Sequence, residues 1–89
     1  MSVENTSIIK WKKISIDLND KRLCKYVIYV DYFNYLCILN KQTFNLIKFS
    51  HIKDENRDFY CMYNSKGEKM STFVDIDAIL EQFWSNCED

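Results

Sequence analysis

MSTFVDIDAILEQFW, residues 70–84, changes its period halfway along, and that change decides the fold class. Its first five residues, 70–74, read as a short strand. From Asp75 the apolar residues Ile76, Ile79, Leu80, Phe83 and Trp84 fall at i, i+3, i+4, i+7 and i+8, one stripe of an α-helix. Asp75 stands where an N-cap carboxylate can accept from a free backbone N–H. Asp77 lies in the first turn, beside the positive end of the helix dipole. A single amphipathic helix therefore closes the chain.

Upstream the pattern is that of strands. Residues 59–63 form an apolar run, and residues 64–68 hold Gly67 and turn the chain back into 70–74. Residues 50–58 are polar and charged and read as a surface loop. Residues 43–49 and 35–39 are strand-like, joined by a turn at 40–42. Residues 23–30 are apolar on both parities, which predicts a central strand covered on both faces. Residues 31–34 turn the chain, with Tyr32 and Phe33 as unusual turn residues. A helix through residues 30–39 is the rival reading, and the β-branched and aromatic content argues against it. Ile14, Ile16 and Leu18 alternate with polar residues, while Ile9 and Trp11 hold the other parity. That shift predicts a bulge or break near Lys12-Lys13. The architecture expected is α+β: a single antiparallel sheet of about five strands with one C-terminal amphipathic helix packed on it.

The 89 residues allow one domain, spanning 1–89, with residues 1–7 and 86–89 as frayed tails. No apolar run approaches the ~18 residues of a membrane span. The first seven residues are polar and lack the apolar core of a secretory signal, so a cytoplasmic, non-secreted protein is expected, with no membrane association. Such a compartment keeps thiols reduced. Cys24, Cys37 and Cys61 sit in apolar runs and are expected to be buried; Cys87, near the end, is expected at the surface.

Catalytic and cofactor motifs are missing. With Gly67 the sole glycine, no phosphate-cradling loop or nucleophile elbow can be built. The cysteines form no C-x-x-C pair, and the single histidine, His51, has none near it in sequence. Asp54, Glu55 and Asp58 lack the alternation and the glycine of a calcium loop. No enzyme activity, metal or cofactor is therefore expected, and His51 reads as an exposed loop residue.

Charge and aromatics are the informative features. The chain carries a formal net charge of −1, yet residues 1–25 sum to +3 and residues 71–89 to −5. Such a bipolar distribution steers encounter with a partner of complementary field. Trp11 lies among Lys10, Lys12 and Lys13, and aromatics make up 16 % of the chain. Tyr and Trp dominate interface hot spots. The candidate partner-binding residues are Lys10, Trp11, Lys12, Lys13, Tyr32, Phe33 and Trp84. The function expected is that of a small non-enzymatic binding protein that occupies a partner protein's surface, as an inhibitor, immunity factor or adaptor does. Self-association into a homodimer is also open to it. The alternative is a single-stranded nucleic-acid-binding module, with bases stacked on Trp11 and the tyrosines and phosphates held by the lysines. The position of Trp11 separates the two: an exposed ring favours nucleic acid, and a buried ring removes most of that support.

Overall fold

The computed structural model describes residues 7–87. Strands β1 (Ile8–Trp11) and β2 (Ile14–Asp17) form an antiparallel hairpin, with Trp11 opposite Ile14 and Ile9 opposite Ile16. The parity shift at Lys12-Lys13 is thus a two-residue turn, not a bulge. Such a turn brings odd positions of one strand and even positions of the next onto one face. Lys12 takes φ 59°, the left-handed conformation that tight hairpin turns use.

A one-turn 3-10 helix, Lys21–Leu23, follows, capped by the Asp20 side chain, which accepts from the Arg22 N–H. The chain then makes a five-stranded antiparallel meander of β3 (Tyr26–Val30), β4 (Leu36–Asn40), β5 (Leu46–Lys53), β6 (Asp58–Tyr63) and β7 (Lys69–Phe73), paired in chain order. Helix α1 (Ile76–Asn86) completes it, with the Asp75 carboxylate accepting from Ala78 N–H as its N-cap. The expected α+β class, five-stranded antiparallel sheet and C-terminal helix are present. The β1–β2 hairpin is a second, two-stranded sheet beyond that expectation.

Hairpin and helix both cover one face of the larger sheet. The core joins Trp11, Ile14 and Ile16 of the hairpin to Ile28, Leu36, Ile38, Phe49, Tyr60 and Met62 of the sheet. Ile79, Phe83 and Cys87 contribute from the helix side. Phe83 sets its ring 6.4 Å from that of Phe49. The cross-strand row Val30, Leu36, Phe49, Met62 fixes the register, since a one-residue slip would turn every one of these side chains outward.

Several expectations need correction. β3 is an edge strand, half-exposed, and β4 beside it is the buried one. The polar stretch after Phe49 is not all loop: β5 continues to Lys53, and only a tight turn closed by Asp54 N–H to Arg57 O remains. Cys24 is exposed and Cys87 is 4 % exposed, the reverse of their predicted places; all four cysteines are free thiols. Burial pushes the Cys87 thiol up to about 11. The expected tails fall mainly outside the described residues. Within these, Ser7 O accepts from Leu18 N–H at 2.6 Å, and Asn86 belongs to the helix.

Candidate partner-binding surface

The meander places the turns alternately at its two ends. The β3–β4 and β5–β6 turns share one end with the start of α1. The β4–β5 and β6–β7 turns share the other. The first end carries most of the candidate residues.

Asp31 organises the β3–β4 turn. Its Oδ1 accepts from the N–H groups of Phe33 and Tyr35, each at 2.9 Å, and its Oδ2 accepts from Lys48 Nζ at 3.3 Å. The backbone closes the same turn with Asn34 N–H to Asp31 O and Asp31 N–H to Tyr35 O, each at 3.0 Å. The Tyr35 N–H above all, then the Lys48 ammonium and the Phe33 N–H, hold the Asp31 carboxyl below its ordinary range. Asn34, at φ 67°, adopts the left-handed conformation that asparagine tolerates well. Its carbonyl accepts from Trp11 Nε1 at 2.8 Å, which ties the turn to the hairpin. Between these anchors Tyr32 is fully exposed and Phe33 is 81 % exposed. Two aromatic rings are thus held out in water on a fixed backbone.

Beside this tip the core layer opens into a cleft of about 490 Å³. Lys12 and Lys13 come from the β1–β2 turn, His51 and Lys53 from β5, Asp58 and Tyr60 from β6, and Ile76 from α1. The period-two register puts His51 opposite Tyr60 and Lys53 opposite Asp58, all on the covered face. His51 stacks on Tyr60 at 4.3 Å between centroids, with 12° between planes, and its Nε2 lies 2.7 Å from Asp58 Oδ1. The His51 hydrogen bond, with the charges of Lys53 and Lys13, holds the Asp58 carboxyl below its usual range.

The predicted residues separate into groups. Lys12 and Lys13 line the cleft, while Lys10 is exposed on the outward face of β1. Tyr32 and Phe33 form the neighbouring tip. Trp11 is 1 % exposed: it is the packed link between tip and cleft, with its ring 6.0 Å from that of Tyr60. Trp84 lies near the C-terminal end of α1, half-buried, with the Arg22 guanidinium 3.7 Å above its ring. It belongs to the other end of the molecule, beside the chain segment that leads into β3.

Sequence reasoning missed His51, Lys53, Asp58 and Tyr60 as neighbours. The signal was present: Ile47, Phe49, His51 and Lys53 share one parity, so a strand carried past Phe49 puts His51 on the core face. Reading the polar residues after Phe49 as a loop hid it. Among the described residues no group of three or more His, Cys, Asp or Glu is placed to hold a metal ion. Among them, too, no helix is long and apolar enough to cross a membrane.

Comparison of the chain with protein-family models, with curated proteins and with solved structures finds no match.

Proposed function

We propose that this protein is a small, non-enzymatic binding protein whose Tyr32–Phe33 tip docks on the surface of a partner protein. The observation that carries the reading is the exposure of two aromatic rings on a turn pinned by Asp31, Lys48 and Trp11. Rigid rings lose little entropy on docking and bury much area, which is the profile of an interface anchor. A soluble fold has no packing reason to leave both rings in water. The partner surface would carry an apolar recess for the tip and would meet the basic cleft alongside it. Inhibitor, immunity-factor and adaptor roles are all of this type. The free thiols suit a reducing, cytoplasmic setting.

Two observations support this reading over its competitors. Burial of Trp11 takes away the ring that a nucleic-acid platform would place among the lysines. The cleft around His51 and Asp58 is lined by no Ser or Cys that the pair could activate as a nucleophile.

The test is site-specific photo-crosslinking in cells that produce the protein. A benzoylphenylalanine is placed at position 32, 33 or 44 in turn. Phe44 is also an exposed ring, but it sits on the β4–β5 turn at the opposite end. Adducts from 32 and 33 with one protein, and none from 44, are expected. Equal adducts from all three positions, or adducts with nucleic acid, would overturn the proposal.

A further inference from the structure

We infer that the cleft beside the tip receives a cluster of carboxylates, so that the partner surface next to the aromatic recess is acidic; this inference rests on the protein-binding reading above. Lys12, Lys13 and Lys53 bring three ammonium groups around one opening. Among the described residues none of the three forms an ion pair. The one carboxylate in the lining, Asp58, is engaged by His51 at 2.7 Å. Asp75 and Asp77 flank Ile76 in sequence, and Asp75 is occupied in capping α1. Neither is among the residues that line the cleft, whose three lysines against one aspartate leave the lining itself net positive. Three like charges held together repel one another, and an anionic partner relieves that repulsion on binding.

The chemistry of the lining favours carboxylates on a surface over a single phosphate. No arginine offers a two-pronged grip, and no glycine loop brings backbone N–H groups to the opening. The sole glycine, Gly67, is at the other end of the molecule. At the start of α1 the Asp75 carboxylate takes the Ala78 N–H and sets its own negative charge there. What remains is a set of mobile point charges around a space of about 490 Å³, far larger than one phosphate. The stacked His51–Tyr60 pair and Ile76 complete the lining, an apolar share that suits the methylene stems of glutamates. The buried Trp11 ties the tip to the cleft, with its Nε1 on the Asn34 carbonyl and its ring against Tyr60, so both lie at one end of the molecule.

The experiment uses the full chain, labelled for NMR, titrated with hexaglutamate peptide and separately with inorganic phosphate at matched ionic strength. Hexaglutamate is expected to shift the amides of Lys12, Lys13, His51 and Lys53 in a saturable way. The folded triple variant Lys12→Gln, Lys13→Gln, Lys53→Gln is expected to weaken that binding by about tenfold or more. Shifts spread evenly over Lys21, Lys41, Lys66 and Lys69, or none at all, would overturn the inference. Phosphate binding as tightly as hexaglutamate would also overturn it, in favour of a small-oxyanion site. Crosslinking from positions 32 and 33 reads the tip alone, so loss of the cleft inference leaves that result standing.

Discussion

Asp31 shows how one side chain can fix the backbone of an exposed turn. Its two oxygens take up two backbone N–H groups and an ammonium, which fixes the backbone on which the exposed Tyr32 and Phe33 stand. Asp31→Ala is expected to speed hydrogen exchange at the Phe33 and Tyr35 amides several-fold while leaving the sheet amides protected. The same chemistry sets the acid limit of the fold. Asp31, Asp54 and Asp58 are held below the usual carboxylate range, and Asp20, beside Arg22, is lowered to about 2. A carboxyl whose folded pKa is depressed contributes stability that is fully present above its unfolded pKa and is lost as pH falls through the folded one. Urea midpoints should therefore be flat near neutrality and fall between about pH 4 and about 2. Trp11 gives a further test at this scale. Trp11→Phe keeps most of the packing but leaves the Asn34 carbonyl without its donor, a cost of about 1 kcal/mol. Trp11→Ala adds a large cavity and should cost about 3–5 kcal/mol. Trp11 is also where the sequence left two places open. A tryptophan among lysines can stand on the surface or in the core, and its parity with Ile9 is the better guide, because a hairpin turn at Lys12-Lys13 sets both opposite Ile14 and Ile16.

The helix was the most legible element. Its stripe, N-cap and first-turn acid follow from spacing and charge alone, and α1 runs Ile76–Asn86 with Asp75 as cap. Depth within the stripe was not legible, because it depends on how the helix is rolled on the sheet. Ile79 and Phe83 are buried, while Leu80 is half-buried at the edge. Chemical denaturation should rank the truncations accordingly: about 3–5 kcal/mol for Phe83→Ala, about 2–5 for Ile79→Ala, and clearly less for Leu80→Ala. Strand boundaries were readable where turns carry strong signals, as at Gly67, whose φ of 82° meets the turn's need for a left-handed residue. They were lost where a strand runs on through polar residues, as β5 does from Ser50 to Lys53. Strand order was also beyond the sequence. Residues 26–30 are as apolar as a central strand, but a meander leaves its first strand at an edge, with Val27 and Tyr29 on the uncovered face.

At the scale of the whole molecule, the candidate binding features are gathered at one end. The antiparallel meander sends the β3–β4 and β5–β6 turns the same way, and the hairpin brings Lys12 and Lys13 to join them. An aromatic tip and a basic cleft become neighbours although their residues are spread from position 12 to position 76. Trp84, grouped with them by residue type, stands at the far end under Arg22. The central claim is that the tip docks on a protein, and quantitative affinity capture from producing cells tests it most directly. Nuclease-treated extract is passed over the wild-type chain, the Tyr32→Ser/Phe33→Ser variant and the Phe44→Ser control. One protein should be retained in stoichiometric amount by the wild type and the control. The tip variant should hold it about tenfold less or weaker, as loss of hot-spot rings requires. Undiminished retention by the tip variant, or a bound fraction that disappears with nuclease, would contradict the account.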